Sequence, residues 1–394
     1  MLSRSMKEVV ANSSAIRAMF EEGKRLAGLY GAENVYDYSL GNPNVDPPEE
    51  IRTAALRILA EENPVHLHGY MVNAGYPDVR AKIAGKLNER HGVSFSENNI
   101  LMTVGAAGAI NVAFKTILDP GDEVVVFAPF FGEYRWYAKN FGADIKIIPM
   151  NKESFQPDVA AFEGALSNRV KAVVINSPNN PCGAVYPEET IRALADVLNG
   201  WRVKTGRTVY LVSDEPYREI VYDGASVPYV TKLYKNTFVA YSYSKSLSLP
   251  GERIGYLAVP SEMDGYEEIW PALANANRIL GYVNSPSMFQ RVAAACADVT
   301  VDVSVYGENR DVLCASLTGM GYELIKPKGA FYLFPKSPVE DDAAFCDTAK
   351  KFRLLIVPGR AFGAPGYFRI AYCVKKETVM NSLNGFEEAI KAFA

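Results

Sequence analysis

The residues best suited to chemistry form three short polar segments, each of which follows an apolar run. They are residues 176–183 (NSPNNPCG), 214–217 (DEPY) and 242–253 (SYSKSLSLPGER). The third segment contains Lys245, and a lysine amine can form an imine with an aldehyde. The other segments offer a carboxylate and hydrogen-bond donors of the kind that hold an aldehyde cofactor. Together, and in this order, they predict a pocket for pyridoxal 5′-phosphate (PLP).

Lys245 is the predicted attachment point, and Asp214 is the predicted partner of the cofactor's ring nitrogen. A lysine is most often solvated at the surface, but Ser242, Ser244 and Arg253 favour the pocket, because they offer contacts to a phosphate. Asp214 ends the apolar run 209–213. Its carboxylate could instead cap a helix, which is common at this position.

Two further side chains have the chemistry to hold the cofactor's phenolate oxygen. Tyr217 follows Asp214 by three residues, and Asn180 lies in the first polar segment. Read in isolation, Asn180-Pro181 is equally typical of an ordinary turn.

Small residues after the apolar run 100–104 predict a phosphate-binding helix start. Gly105, Ala106 and Ala107 open an apolar helical pattern, and backbone N–H groups at a helix N-terminus bind phosphate. Close packing is the alternative explanation for such small residues. Farther along, Phe131 is a candidate to stack on the pyridine ring, and core packing is the alternative for it and for Phe130.

The elements that must position these residues alternate along the chain. Apolar, strand-like runs occupy residues 100–104, 123–127, 145–149, 172–175, 209–213, 237–241 and 255–259, mostly separated by helical patterns. Runs without polar alternation indicate strands buried on both faces of a mostly parallel sheet, and ligands bind at the carboxyl ends of such strands. The predicted class is α/β, with a seven-stranded sheet covered by helices.

Outside this region the pattern predicts a smaller α+β domain, formed by the N-terminal segment and the C-terminal part. A first helix begins at Ser13 or Ser14, and a second spans 49–62. After residue 281 we expect a long helix to 319, strands at 322–325, 331–334, 354–357 and 367–371, and a closing helix at 376–393. The expected division is therefore 1–44, 45–280 and 281–394.

Composition narrows the function further. The 394 residues carry a net charge of −4, which gives no electrostatic reason to expect nucleic acid as a partner. Five scattered cysteines and three histidines show no metal-ligand spacing, which favours a reduced, cytoplasmic setting. The first eight residues contain no apolar core of a signal peptide, and no apolar run is long enough to predict a membrane helix.

With these motifs in place, nearly the whole chain resembles the fold-type I PLP-dependent aminotransferases that include aspartate aminotransferase. The resemblance implies the roles given above for Lys245, Asp214, Asn180 and Tyr217, and an exchange of an amino group between an L-amino acid and a 2-oxo acid. Phosphate contacts are implied for Ala106, Ala107, Ser242 and Arg253, with Phe131 on the ring.

Three more roles come only from the resemblance. Arg369 is similar to the arginine that binds the substrate α-carboxylate, and Gly41 resembles a backbone donor beside it. Tyr70 resembles a tyrosine that reaches the phosphate of the neighbouring subunit, which implies a homodimer with shared sites.

The resemblance also has departures. Cys182 stands where threonine is usual. In the dicarboxylate-specific branch an arginine precedes an Asn-Pro stretch, whereas residues 280–286 (LGYVNSP) contain none and Arg278 lies close by. We therefore expect donors to be aspartate-type or broader, including aromatic amino acids, with 2-oxoglutarate as acceptor.

Alternative reactions use the same site. A PLP-dependent carbon–sulfur β-lyase or a decarboxylase would also need Lys245, Asp214 and Arg369. A PLP-binding regulator is disfavoured, because the family pattern begins by about Asn12 and leaves no room for a preceding DNA-binding module.

Overall fold

The computed structural model describes residues 2–11 and 15–393. The strands are β1 (Tyr36–Asp37), β2 (Ile100–Thr103), β3 (Glu123–Phe127), β4 (Asp144–Ile148), β5 (Val170–Asn176), β6 (Tyr210–Asp214), β7 (Thr237–Ser242), β8 (Gly255–Ala258), β9 (Tyr332–Leu333), β10 (Leu354–Leu355), β11 (Val357–Pro358) and β12 (Phe368–Ala371). The helices are α1 (Arg4–Ala11), α2 (Ala15–Tyr30), α3 (Glu49–Glu61), α4 (Pro64–His68), α5 (Pro77–His91), α6 (Gly105–Ile117), α7 (Tyr134–Lys139), α8 (Val159–Ala165), α9 (Glu188–Thr205), α10 (Tyr243–Ser246), α11 (Tyr266–Ile279), α12 (Ser287–Ala295), α13 (Ser304–Gly319), α14 (Asp342–Lys351) and α15 (Lys376–Lys391).

Strands β2 to β8 form the predicted sheet. Their order across the described sheet is β2-β8-β7-β6-β5-β3-β4. Strand β8 runs antiparallel to β2 and β7, and the other neighbours are parallel. Every residue of β2, β3, β7 and β8 is buried, which explains why these runs lack polar alternation. The α/β prediction is confirmed.

Helices cover both faces of this sheet. On one face Ile110 and Phe114 of α6 pack in a core with Val126 and Phe238 of the sheet. On the other face, Leu194 of α9 packs in a core with Val173 and Leu211 of the sheet. Because β5, β6 and β7 are parallel neighbours, their carboxyl ends lie at the same edge of this packed sheet.

A smaller α+β region contains strands from both the N-terminal and the C-terminal parts of the chain. Strand β1 pairs in parallel with β10, and β11, β12 and β9 form an antiparallel sheet. Tyr38, Phe331, Phe345 and Phe386 share its core. This is the predicted α+β arrangement of N-terminal and C-terminal segments, while the proposed boundaries at residues 44 and 280 stay a prediction.

Two expectations in the C-terminal part are wrong. The predicted helix 281–319 is two helices, because the chain between α12 and α13 leaves the helical path and Val301 N–H donates to the Ser246 carbonyl. Residues 322–325 form no strand. Of these four residues, only Glu323 has a backbone hydrogen bond of the kind that joins two strands, which it accepts from the Lys336 N–H. The predicted capping serines, Ser13 and Ser14, lie outside the described residues, and helix α1 was not predicted.

The described residues contain neither a membrane-spanning helix nor a metal cluster. None of their helices is both long and apolar enough to cross a membrane. They also contain no cluster of three or more histidine, cysteine or acidic side chains that could hold a metal ion.

Candidate active site

Polar side chains meet where β5, β6 and β7 end. Asn176 and Asp214 are register partners on neighbouring strands, and Asn176 Nδ2 donates to the Asp214 carbonyl at 2.8 Å. Asn176 Oδ1 accepts from the Asn180 backbone N–H at 2.6 Å. The first two predicted segments are therefore tied together by hydrogen bonds at the carboxyl edge of the sheet, as expected for an α/β site.

Asp214 is a buried carboxylate with one free oxygen. Its Oδ2 accepts from the Tyr134 hydroxyl at 2.5 Å, whereas Oδ1 has no hydrogen-bond partner among residues 2–11 and 15–393. Burial raises the pKa of Asp214 to about 7, against the opposing effect of the Tyr134 hydrogen bond. An unpaired carboxylate oxygen in this setting fits a positively charged N–H donor, such as a protonated pyridine nitrogen.

Lys245 lies on the short helix α10, directly after β7. The Ser242 side chain caps this helix by accepting from Ser244 N–H. Lys245 Nζ donates to the Gly41 carbonyl at 2.7 Å and lies 5.6 Å from the centre of the Phe331 ring. Burial, the main cause, lowers the pKa of Lys245 to about 8, so a larger fraction of the amine is neutral and nucleophilic near neutral pH.

The start of α6 faces a guanidinium and a hydroxyl. Gly105 has φ of 79°, and a Cβ there would lie 3.1 Å from Arg253 Nη2 and 3.5 Å from Ser242 Oγ. Ser242 Oγ and Ser244 Oγ are 2.7 Å apart. Ala106 is buried in the first turn of the helix. Helix N–H groups, hydroxyls and an arginine in one place form a cradle suited to a phosphate dianion.

Gly255 allows β7, β8 and the start of α6 to approach one another closely beneath this cradle. It is the register partner of both Thr103 and Ser242, and a Cβ would lie 2.2 Å from the Tyr241 carbonyl oxygen and 2.9 Å from Gly105 Cα. Any larger residue would force β7, β8 and the α6 start apart. Sequence reasoning missed this position, although a glycine opening an apolar strand is a recognisable signal.

Arg369 is a buried cation without an acidic partner among the described residues. It is 2% exposed, and its Nη1 and Nη2 donate to Asn180 Oδ1 at 3.0 Å and the Ser39 carbonyl at 2.5 Å. Within the same described range its Nε has no acceptor. Burying a cation in this way is costly unless an anion compensates it, so a ligand carboxylate fits the position.

Asn180 and Tyr217, the predicted donors to the phenolate oxygen, both contact other residues of this site. Asn180 accepts from Arg369 through Oδ1, which leaves its Nδ2 as the donor. The Tyr217 hydroxyl lies 2.7 Å from that of Tyr332, which sequence reasoning did not single out. Phe331 contacts Tyr217 edge-on, with ring centres 5.4 Å apart, and so links Tyr217 to Lys245.

The remaining predicted residues fall into two groups. Phe131 is partly buried and meets the Tyr134 ring edge-on at 5.6 Å, beside Asp214, whereas Phe130 packs in the core. The Gly41 carbonyl accepts a hydrogen bond from Lys245, and the predicted role of the Gly41 N–H as a donor beside the substrate carboxylate stays a prediction. Tyr70 is 95% exposed, so in a single chain its side chain lies almost entirely in solvent.

Comparison with known proteins shows the family of the chain. Residues 32–386 match the family model for aminotransferase class I and II. An aspartate aminotransferase from Pyrococcus horikoshii is 30% identical over 391 residues, covering 96% of this chain and 95% of that protein. A probable aspartate/prephenate aminotransferase from Thermus aquaticus is 32% identical over 365 residues, covering 89% and 90%.

Solved structures show the same likeness. An aminotransferase from Eubacterium rectale superposes with a TM-score of 0.97 and 44% identity, covering 100% of this chain and 99% of that one. The aspartate aminotransferase of Thermus thermophilus with maleate superposes with a TM-score of 0.88 and 29% identity, covering 99% of both.

The fold is that of the fold-type I PLP-dependent transferases. Within that class, the chain belongs to the class I and II aminotransferases, and it is an aminotransferase enzyme. The relatives named above are all aminotransferases, so they give no support to the lyase alternative.

Proposed function

We propose that this aminotransferase binds PLP covalently at Lys245 and uses it to exchange an amino group between an L-amino acid and a 2-oxo acid. One observation carries the proposal. The described residues leave the Asp214 carboxylate and the Arg369 guanidinium buried, each with one unsatisfied polar atom, and Lys245, close enough to Arg369 to be affected by its charge, has a lowered pKa. A ring nitrogen and a substrate carboxylate would satisfy the two atoms.

The chain's own residues account for each part of the cofactor. The α6 start with Gly105, Ala106 and Ala107, together with Ser242, Ser244 and Arg253, would hold the phosphate. Asp214 would keep a proton on the ring nitrogen, and Tyr134 fixes the carboxylate's orientation. When bound, PLP supplies an aldehyde that condenses with amines and a ring that accepts the electrons of a carbanion.

Lys245 has two tasks in this proposal. Its amine binds the cofactor in the resting enzyme, and once released it takes a proton from the substrate α-carbon and returns one to the product. A pKa of about 8 suits both directions, because the neutral and protonated amines are each well populated near neutral pH. The Gly41 carbonyl, 2.7 Å from Nζ, would hold the released amine in position by accepting its hydrogen bond.

Arg369 would bind the α-carboxylate of both substrates, with Asn180 and the Ser39 carbonyl holding its guanidinium plane. For the substrate side chain we propose broad acceptance, from acidic to neutral or aromatic donors, with 2-oxoglutarate as acceptor. Arg278, which lies near the matching segment, is exposed and donates to Asn275 Oδ1 at 3.5 Å, which supports a site without a fixed arginine for a second carboxylate. The relatives that are named for aspartate support the acidic end of this range.

The active unit is proposed to be a homodimer. Tyr70 is almost fully exposed on a single chain, which suits a residue that completes the phosphate cradle of a second copy. Its hydroxyl would add a donor to the contacts from Ser242 and Arg253.

A panel of amino donors tests the proposal. Purified holoenzyme is mixed with aspartate, phenylalanine, methionine, alanine and cysteine, each without an acceptor, and the cofactor is followed by absorbance and identified after release. Conversion to pyridoxamine phosphate with the matching oxo acid is expected. Formation of ammonia and pyruvate from cysteine-type donors, with the cofactor unchanged, would contradict transamination. A preference for aspartate over phenylalanine above about 10³-fold in kcat/KM would contradict broad acceptance.

A further inference from the structure

Tyr332 is the residue through which several parts of the site touch one another. It lies on β9 and is 2% exposed, and its hydroxyl is 2.7 Å from the Tyr217 hydroxyl. The two rings are nearly perpendicular, with centres 5.5 Å apart and an angle of 85° between their planes. Neither hydroxyl has another hydrogen-bond partner within residues 2–11 and 15–393.

Two other site residues pack against Tyr332. The Arg369 guanidinium lies 4.8 Å from the centre of its ring. A Cβ on Gly41 would lie 2.0 Å from the Tyr332 oxygen, so the glycine allows the backbone to rest directly on this hydroxyl. The same Gly41 accepts from Lys245 Nζ. Tyr332 thus contacts the carboxylate-binding arginine, the phenolate donor and the backbone that holds the lysine.

The two hydroxyls together have two protons, and the bond between them uses one. The other proton must point out of the pair, either from Tyr217 or from Tyr332. If Tyr217 donates its one proton to the cofactor, as proposed above, it can only accept from Tyr332. Arg369 suits this direction, because its guanidinium lies 4.8 Å from the centre of the Tyr332 ring and the positive charge makes the Tyr332 proton easier to share. Burial raises the pKa of Tyr332 to about 12, and Arg369 works against that increase. With Tyr332 donating inward, the Tyr217 proton is the one that points outward.

We propose that Tyr332 is a positioning residue that donates to Tyr217 and so directs the Tyr217 proton at the phenolate oxygen of the cofactor. This inference rests on the proposed function. Hydrogen bonds in series strengthen one another, so Tyr217 becomes a better donor than it would be alone. A better-stabilised phenolate attracts the proton of the Lys245–cofactor linkage less, and the pKa of that linkage nitrogen falls.

The cofactor's absorbance reports this pKa without any turnover. Tyr332→Phe keeps the ring against Arg369 and removes only the hydroxyl. If the second bond contributes about 10–30% of the first, a bond to a charged oxygen, the linkage pKa should rise by roughly 0.1–0.7 unit. Incorporation of 3-fluorotyrosine at position 332 should move it the other way, because the fluorinated phenol is a stronger donor in nearly the same volume.

A double-mutant cycle separates positioning from a general structural effect. Tyr217→Phe should raise the linkage pKa more than Tyr332→Phe, and adding Tyr332→Phe to Tyr217→Phe should cause no further shift. Tyr322→Phe removes another buried hydroxyl of the same core, which donates to the Phe386 carbonyl, and should leave the linkage pKa unchanged.

Two results would overturn the inference. One is an unchanged linkage pKa in both position-332 variants. The other is a Tyr332→Phe shift that persists in full without the Tyr217 hydroxyl. Failure of the proposed function looks different, since the unsubstituted protein would then show no titrating cofactor absorbance at all. If Tyr332→Phe does not fold, the fluorinated protein alone decides the direction of the shift.

Discussion

Replacing Asp214 by asparagine should stabilise the cofactor-free protein while impairing the enzyme. A carboxyl group has a pKa of about 3.9 in the unfolded chain, and burial raises the pKa of Asp214 to about 7 in the folded state. The folded protein therefore binds this proton more tightly, and its free energy of unfolding falls as the pH rises from about 4 to about 7. The difference of about three pKa units corresponds to about 4 kcal/mol above pH 7.

Asparagine has no such penalty, because it carries no charge at any of these pH values. The variant should gain about 3 kcal/mol relative to the unsubstituted protein between pH 5 and pH 8, since about two of the three pKa units lie in that interval. Urea unfolding of both cofactor-free proteins at the two pH values measures the gain. With PLP bound the order should reverse and kcat should fall by orders of magnitude, because the ring nitrogen has lost its counter-charge.

Asp302→Asn is a suitable control for this measurement. Asp302 is exposed, and its pKa lies below the ordinary value because it accepts hydrogen bonds from Ser304. Neutralising it should give no stabilisation at pH 8. An Asp214→Asn advantage that is the same at pH 5 and pH 8, or a variant that is less stable at pH 8, would refute the reasoning about burial.

Three further outcomes test the assignment of the site. Lys245→Ala should lose nearly all turnover yet still bind PLP non-covalently, and borohydride reduction of the unsubstituted protein should label Lys245; a label on another lysine would refute its role. Arg369→Lys should raise KM for both amino acid and oxo acid by about 10-fold or more, because the planar fork is lost while the charge remains; unchanged KM values would count against carboxylate binding there. Mixed Tyr70→Ala and Lys245→Ala subunits should regain activity on exchange if Tyr70 serves the neighbouring site, and exchange without recovery would place Tyr70 elsewhere.

The sequence predicted the parts of the site that local rules govern. The strand ends at Asp214 and Ser242 were predictable because fully buried strands are continuous apolar runs, and polar residues mark where they stop. The boundaries of these strands in the structure differ from the predicted ones by no more than two residues. The start of α6 followed from its small residues in the same way.

Contacts between distant segments could not be predicted by such rules. The Tyr134 hydroxyl reaches Asp214 across 80 residues, and Tyr332 reaches Tyr217 across 115. Nothing in the local pattern around either tyrosine distinguishes a buried aromatic with a hydroxyl partner from one that fills the core. The wrong helix at 281–319 has the same origin, since a tertiary bond from Val301 to Ser246 replaces the local helical one.

The pairing of β1 with β10 means that part of the fold can form only late in the synthesis of the chain. Tyr36 and Asp37 pair with Leu354 and Leu355, and the Tyr38 carbonyl accepts from the Ala371 N–H. A ribosome releases the first of these partners more than 300 residues before the second. The N-terminal segment therefore lacks its partner strand, and its aromatic side chains lack their core, while the central sheet folds. Ser39 directly follows that segment and accepts from Arg369, so the hydrogen bond that orients this guanidinium also forms only when translation is nearly complete.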